Sequence, residues 1–298
     1  MSLRLAALNG GLRLFSKPAL RRTASAEQAA RDLERIAPLL PRPAFLRRIE
    51  RPGGLHWVSA GPCAMHRVIL HFHGGGFITG SPATHQGMIA RLSQLSGIEV
   101  CAPDYPLAQR APFPAAFDAA CAAWQALLAL GYHPGQIVLS GDSAGGGLAL
   151  ALLSRCCMDG QPPAGAVAFS PWTDLAMTGE SLSRNARYDS FLPVSRMSDL
   201  VALILGGADP RDPRISPLYA RFPACPPVMI FHSQTEILAD DATRMADRLH
   251  EMGARVALRN HPCAPHAWPV FDGWIPEARQ SLREAAQFVQ ACLDEINR

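Results

Sequence analysis

One serine in this sequence has both the residue type and the neighbours that nucleophilic chemistry requires. Ser143 stands in Gly-Asp-Ser-Ala-Gly at 141–145, which matches the pattern Gly-x-Ser-x-Gly. An apolar run at 137–139 precedes it, and a second at 148–153 follows it. A strand, a sharp turn and a helix would raise the hydroxyl above a sheet edge and point the positive end of the helix dipole at it. The pattern predicts that Ser143 is a nucleophile.

The same glycine-rich stretch has two other interpretations. A phosphate-binding loop needs either a Walker lysine or the spacing Gly-x-Gly-x-x-Gly, and Leu150 occupies the last position of that spacing. We therefore do not expect a phosphate loop. A glycine turn with an incidental serine is consistent with the pentapeptide alone, so the other motifs of the chain must decide.

The run His-Gly-Gly-Gly at 73–76 directly follows a predicted strand at 68–72. Acyl transfer through a tetrahedral intermediate needs backbone N–H groups aimed at the new oxyanion, and glycines let the backbone approach it closely. The alternative is a flexible turn. His71 and His73 share one strand face, but no carboxylate or third histidine is near in sequence, so we predict no metal site. We expect His73 to fix the loop by hydrogen bonding.

A nucleophilic serine also needs a base, and the base needs an acid that holds its tautomer. His261 and His266 both lie in HPCAPHAW, after a predicted strand. His266 is favoured because it lies further into that loop. Glu236, in the loop SQTEILADD, is the predicted acid, and Asp240 is the fallback because the start of a helix gives it an ordinary capping role.

Short apolar runs alternate with helical patterns, which predicts an α/β fold with a mostly parallel sheet covered by helices on both faces. Strands are predicted at 68–72, 99–102, 136–140, 165–169, 227–232 and 255–259, and helices at 84–95, 115–130, 145–158, 241–252 and 276–296.

Two regions fall outside this alternation and look like additions to the core. Residues 1–50 are predicted to form a helical cap segment, and residues 51–298 the catalytic domain, with 177–222 as an insertion that contributes to the cap. In the first region the apolar residues recur at helical spacing, which favours an amphipathic helix packed on the same chain; a membrane-surface or targeting role is the alternative. These residues are Leu5, Leu8, Leu12 and Phe15.

The composition excludes several classes of function. A net charge of +3, without a basic block, argues against a nucleic-acid partner. The eight cysteines show no Cys-x-x-Cys spacing, which is typical of a cytoplasmic protein with reduced thiols. We expect neither a secretory signal nor a transmembrane helix. A homodimer is compatible with the sequence, which does not fix the oligomeric state.

Taken together, these segments resemble the hormone-sensitive-lipase-like branch of the α/β-hydrolases, the bacterial esterases with an HGGG motif. The resemblance covers nearly the whole chain past residue 65. It is carried by HFHGGGFITGSPATH, DYPLAQRAPFPAAFDAA, GDSAGGGLAL, SPWTDLAMTGES, GGADPRDPRISPLYA, EILADD and HPCAPHAW.

The resemblance implies an α/β-hydrolase fold with a helical cap and a serine carboxylesterase that acts on short-acyl esters without a cofactor. Ser143 would be the nucleophile and His266 the general base. The N–H groups of Gly75, Gly76 and Ala144 would form the oxyanion hole. An interfacial lipase, or an amidase, deacetylase or lactonase with the same triad, are alternatives, as is a non-catalytic small-molecule receptor.

The sequence departs from the family pattern at two places. Where the family has Asp-Pro-Leu-x-Asp, this chain has Glu236-Ile-Leu-Ala-Asp240, and the hydrolase pattern admits either acid. Where the family has Asp-Tyr-Arg-Leu-Ala-Pro-Glu, residues 104–110 lack the usual arginine and glutamate, a departure that concerns a structural ion pair rather than the chemistry.

Four aromatic residues are candidates for the substrate pocket, although buried packing is the expected role of each taken singly. They are Phe77, Trp172, Phe191 and Trp268.

Overall fold

The computed structural model describes residues 1–295 and contains one eight-stranded sheet. The strand order is β1-β2-β4-β3-β5-β6-β7-β8, in which β2 is antiparallel to both neighbours and the remaining strands run parallel. The strands are β1 (Leu46–Arg51), β2 (Leu55–Ala60), β3 (Val68–Phe72), β4 (Glu99–Pro103), β5 (Ile137–Asp142), β6 (Gly165–Phe169), β7 (Val228–Ser233) and β8 (Val256–His261).

Helices cover both faces of this sheet. The α-helices among the described residues are α1 (Leu3–Gly11), α2 (Lys17–Arg22), α3 (Ala26–Ile36), α4 (Gln86–Ser96), α5 (Ala115–Ala129), α6 (Ala144–Met158), α7 (Ser181–Arg184), α8 (Met197–Leu205), α9 (Ala239–Glu251) and α10 (Pro276–Glu295). Helices α4 and α10 pack together on one face with the buried residues of α1, while α5, α6 and α9 cover the other. The central strands β3, β5 and β6 are fully buried, as the uninterrupted apolar runs require.

The predicted fold class is confirmed, and all six predicted strands are present with ends shifted by at most two residues. All five predicted helices are present too, although residue 296, at the end of the last one, lies outside the described residues. The prediction missed the antiparallel strands β1 and β2. Since β1 begins at Leu46, the end of the predicted helical segment 1–50 forms a strand instead. Strand β1 reads Leu-Arg-Arg-Ile-Glu-Arg, an exposed edge without the apolar run used to find strands.

The N-terminal apolar residues do not all face the core. Leu5 and Leu12 are buried and Leu8 packs beside them, whereas Phe15 is 74% exposed. The predicted apolar face of the helix is therefore wrong at its last residue. A π-helical turn at Leu12–Ser16 joins α1 to α2 and rotates the following residues. This rotation turns Phe15 outward and Lys17 inward.

The insertion at 177–222 contains α7 and α8, and the rest of it is loops and short 3₁₀ turns. Within residues 1–295, no helix is both long and apolar enough to cross a membrane. The division of the chain into a cap and a catalytic unit stays a prediction.

Candidate active site

Ser143 occupies a strained turn between β5 and α6. Its backbone has φ +54° and ψ −124°, a conformation that a non-glycine residue adopts only when its surroundings impose it. The N–H of Ser143 donates to the carbonyl of Phe169 at 2.8 Å, and its own carbonyl accepts from the N–H of Trp172 at 3.0 Å. A Cβ atom on Gly141 would collide with the backbone of Gly145. The flanking glycines are therefore required by the closeness of strand and helix.

The structure brings Ser143, His266 and Glu236 into one chain of hydrogen bonds. Ser143 Oγ lies 2.7 Å from His266 Nε2, and Nδ1 of the same imidazole lies 2.5 Å from Glu236 Oε2. The other carboxylate oxygen, Glu236 Oε1, accepts the N–H of Ser233 at 2.8 Å. Glu236 and His266 are both buried. The carboxylate thus holds the imidazole with Nε2 directed at the serine hydroxyl.

The electrostatic surroundings favour a proton on His266. Burial disfavours its charge, but the hydrogen bond and the charge of Glu236, together with Asp189 and Asp142, raise the pKa of His266 above its ordinary value of 6.5. Ser143 lies at the N-terminus of the fifteen-residue helix α6, whose dipole favours negative charge at the hydroxyl. Both effects suit a serine that passes its proton to this histidine.

The two alternative residues from the sequence lie elsewhere. Asp240 accepts the N–H of Ser181 at 2.9 Å and an Arg184 guanidinium hydrogen at 2.5 Å, so its carboxylate is used at the start of α9. His261 ends β8, and its Nδ1 accepts the N–H of Cys263 at 3.2 Å. Neither residue enters the hydrogen-bond chain of Ser143.

The glycine run after β3 forms a tight loop next to Ser143. Gly75 has φ +116°, and a Cβ atom there would collide with the carbonyl of Thr79; Gly76 has φ +60°. Within residues 1–295, neither the Gly75 nor the Gly76 N–H donates a hydrogen bond. Ala144 begins α6, where an N–H has no acceptor within the helix. All three predicted groups therefore keep N–H donors for a ligand.

A second, buried network holds this loop in place, and the sequence motifs did not predict it. The N–H of Gly74 donates to Asp142 Oδ1 at 3.0 Å, and the same carboxylate lies 3.5 Å from both His71 Nε2 and His85 Nε2. Burial opposes the charge of Asp142, but His85 and His71 hold its pKa well below the usual range. Burial lowers the pKa of His71, whereas Asp142 outweighs burial at His85 and raises its pKa. His85 and Asp142 therefore stabilise each other's charged forms.

His73 fixes the loop from the other side, as the sequence predicts. Its Nδ1 lies 2.8 Å from the Gly74 carbonyl, its ring stacks on Tyr105 with centroids 4.2 Å apart, and the Tyr105 hydroxyl donates to the His73 carbonyl at 2.7 Å. Burial lowers the pKa of His73 to about 3, so the ring is neutral. Among the described residues there is no cluster of three metal-ligating side chains.

The four aromatic candidates have different surroundings. Phe77 is buried and lines a small apolar cavity together with Phe113 and Ile204. Phe191 is half-buried, at the edge of the Phe271 ring. Trp172 and Trp268 are at most 2% exposed in the two cores, which favours packing for both tryptophans over direct contact with a ligand.

Two further contacts involve the glycine loop. At the departure from the family pattern in 104–110, Gln109 donates its side-chain N–H to the Ile78 carbonyl at 2.9 Å, so a neutral amide holds the chain after the loop. From the insertion, Leu200 of α8 lies over Gly76, since a Cβ atom on that glycine would be 3.1 Å from Leu200 Cδ2. Helix α8 therefore covers the loop.

Comparison with known proteins gives consistent results. The sequence profile of the alpha/beta hydrolase fold family matches residues 69–270. An esterase from Acinetobacter venetianus is 35% identical over 226 residues, which are 74% of this chain and 74% of the relative. An acetyl-hydrolase from Streptomyces hygroscopicus is 35% identical over 230 residues, 77% of each chain.

The solved structures agree with the sequence relatives. The crystal structure of an esterase from the bacterial hormone-sensitive lipase family superposes with a TM-score of 0.92 at 34% identity, covering 98% of this chain and 99% of the other. The likeness therefore extends beyond the sheet to nearly the whole chain.

Proposed function

The chain belongs to the α/β-hydrolase fold family and is a carboxylic ester hydrolase of its hormone-sensitive-lipase-like branch, and we propose that it works through an acyl-enzyme on Ser143. The observation that carries this proposal is the continuous hydrogen-bond chain from Ser143 Oγ through His266 to Glu236. A carboxylate, an imidazole and a hydroxyl in that order are the arrangement that serine hydrolases use on unrelated folds.

In the first half of the proposed reaction, Ser143 Oγ attacks the ester carbonyl carbon as its proton moves to His266 Nε2. The tetrahedral intermediate collapses, the bond to the alcohol oxygen breaks, and the alcohol leaves with the proton from Nε2. In the second half, His266 takes a proton from water, the hydroxide attacks the acyl carbon, and the acid is released as Ser143 regains its proton. Glu236 stabilises the imidazolium that forms in both halves.

The proposed oxyanion hole consists of the N–H groups of Gly75, Gly76 and Ala144. Its support is that these donors flank Ser143 and that the loop around them is anchored by Asp142 and His73. Preorganised donors of this kind stabilise the charge that develops on the carbonyl oxygen, and removal of one typically costs on the order of 10²–10³ in turnover.

We propose short-acyl esters as substrates. The cap residue Leu200 lies over Gly76, beside the proposed position of the substrate carbonyl. Its side chain therefore limits the depth of the proposed acyl pocket on that side. Two relatives are named esterase and acetyl-hydrolase, which is consistent with a small acyl group. Phe77 and Phe191 stay the proposed pocket residues, and Trp172 and Trp268 are proposed to support the site from the core.

Hydrolysis of p-nitrophenyl butyrate by the wild type and Ser143→Ala tests the mechanism. The variant is expected to lose more than about 99.9% of kcat/KM, because its residual rate comes from binding and the oxyanion hole alone. A fluorophosphonate probe is expected to label the wild type and not the variant. Retention of near-wild-type hydrolysis by Ser143→Ala would contradict the proposal, and failure of the wild type to react with the probe would favour a non-catalytic receptor.

Two further measurements separate the remaining alternatives. An interfacial lipase would gain activity above the critical micelle concentration of its substrate, whereas the proposed esterase is saturated by monomeric ester. An amidase, deacetylase or lactonase would prefer an anilide, an acetylated amine or a lactone over the matched p-nitrophenyl ester, because leaving-group preference depends on pocket shape rather than on the triad.

We also propose a cytoplasmic location. The support is that several of the cysteines are buried free thiols. Burial raises the pKa of the Cys101 thiol to about 12, which is typical of cysteines that stay reduced. Homodimer formation stays a prediction that sedimentation of the purified protein tests.

A further inference from the structure

The loop that carries Glu236 is held by side chains of one short segment of the insertion, residues 181–189. Ser181 Oγ donates to the Ile237 carbonyl at 2.7 Å. Asn185 donates both amide hydrogens, to the Gln234 carbonyl at 2.9 Å and the Glu236 carbonyl at 2.8 Å. These donors are at most 5% exposed. The backbone on both sides of the proposed catalytic acid is therefore set by the insertion and not by the sheet alone.

Asp189 completes this set of contacts with a buried carboxylate. It is 1% exposed, and its Oδ2 accepts the N–H of Ile237, the residue directly after Glu236, at 2.9 Å. Its Oδ1 accepts the N–H groups of Phe191 and Leu192 at 2.8 and 2.9 Å. Burial raises the pKa of Asp189 above its ordinary value, and the three N–H donors oppose this effect because they stabilise the ionised carboxylate. Such bonds to a charged acceptor are about twice as strong as neutral ones.

The N-terminal helices close the same segment from outside. Lys17 is buried, and its ammonium group donates to the Asp189 carbonyl at 2.6 Å and to the Ala186 carbonyl at 2.9 Å. Arg13 donates to the Tyr188 carbonyl at 2.7 Å. The position of Asp189 therefore depends on both parts of the predicted cap.

We propose that Asp189 is a positioning residue for the esterase reaction: it fixes the loop of the catalytic acid and places a second negative charge beside the His266–Glu236 pair. This inference rests on the proposed roles of Ser143, His266 and Glu236. Asp189 touches neither the substrate nor the serine; it acts through the Ile237 N–H on the acid and through space on the imidazole.

The charges around the imidazole give this role a measurable consequence. The carboxylates whose charges raise the pKa of His266 are Glu236 from the loop after β7, Asp189 from the insertion and Asp142 from the end of β5. Lys17, whose ammonium group donates to the Asp189 carbonyl, also interacts with the charge of the Asp189 carboxylate. The charge of Asp189 stabilises protonated His266, so its removal makes the imidazole a weaker base that stays unprotonated at lower pH.

The experiment measures kcat/KM for p-nitrophenyl butyrate from pH 5 to 9 in four variants, with folding checked by circular dichroism. Asp189→Asn and Asp189→Ser remove the charge. Asn185→Ala disturbs the same loop without a change of charge. Asp212→Asn is the matched control, a carboxylate of the same insertion that pairs with Arg214, away from the site.

We expect the acidic limb of the pH profile to move down by roughly half a unit or more in both Asp189 variants, with a severalfold loss of kcat at pH 8. Asn185→Ala is expected to have a lower kcat but an acidic limb at the same pH as the wild type. Asp212→Asn is expected to match the wild type in both. An unmoved limb in the Asp189 variants, or an equal shift in Asn185→Ala, overturns the proposal.

Poorly folded variants remain informative, because the pH dependence of fluorophosphonate labelling at Ser143 reports the same limb from the folded fraction alone. The outcomes also separate this inference from the proposed function. Activity retained in Ser143→Ala would contradict the mechanism itself, whereas an inactive Ser143→Ala together with an unmoved limb in Asp189→Asn would contradict only the role of Asp189.

Discussion

The backbone N–H of Gly74 donates a 3.0 Å hydrogen bond to the Asp142 carboxylate, which ties the glycine loop directly to the serine turn. Asp142 immediately precedes Ser143, so the same residue fixes the position of the proposed nucleophile and of the loop that carries the proposed oxyanion donors. The two halves of the site are therefore held at a fixed separation before any substrate binds, which is the condition for preorganised stabilisation of an oxyanion.

Asp142→Asn is expected to lower kcat about tenfold to a hundredfold with a smaller change in KM. The amide keeps one oxygen for the Gly74 N–H but loses the charge that pairs with His85, so the loop is held less firmly. Steady-state kinetics with p-nitrophenyl butyrate separates the effect on kcat from the effect on KM. A change in KM alone would mean that the loop stabilises the bound substrate and the transition state equally.

Glu236→Gln is expected to lower kcat by on the order of 10³–10⁴, because the neutral amide no longer stabilises the imidazolium or fixes its tautomer. Asp240→Asn is the matched control, and a loss below tenfold is expected because its carboxylate serves Ser181 and Arg184. Kinetics of both variants under identical conditions decides between the two acids. A larger loss in Asp240→Asn would overturn the assignment of Glu236.

The parts of this site that the sequence predicted share one property: each follows a recognisable strand. Ser143 and the glycine run come directly after β5 and β3, and His266 lies in the loop after β8; the carboxyl ends of parallel strands meet at one edge of a sheet. Glu236 follows β7 in the same way. Locating the strands was therefore enough to bring these residues together.

The parts that the sequence did not predict depend on contacts without a local pattern. Asn185 and Asp189 bind backbone groups of a loop about fifty residues away, and any residue except proline at the receiving position offers the same N–H and carbonyl. Strand β1 is an exposed, arginine-rich edge without an apolar run. The outward turn of Phe15 results from one π-helical turn, which periodicity at 3.6 residues cannot anticipate.

The His85–Asp142 pair predicts a pH dependence of stability. Asp142 raises the pKa of His85 above 6.5, so the pair stabilises the fold fully below pH 6.5 and loses this contribution as pH rises through the folded-state pKa. Thermal unfolding from pH 6 to 9 is expected to show this decline in the wild type. In His85→Gln the decline should be smaller, and His133→Gln, an exposed histidine, should behave as the wild type. An equal decline of the unfolding temperature with pH in all three proteins would rule out a charged His85.

Leu200 is expected to set the acyl-chain preference from the cap, because it lies over Gly76. Leu200→Ala should raise kcat/KM for p-nitrophenyl octanoate relative to acetate by about three- to tenfold, since a few methylene contacts change specificity by this order. Leu200→Trp should shift the ratio in the opposite direction. The control is Leu203→Ala, on the same helix with 40% of the side chain exposed, for which an unchanged ratio is expected. Identical ratios in all three variants and the wild type would show that α8 does not line the acyl site.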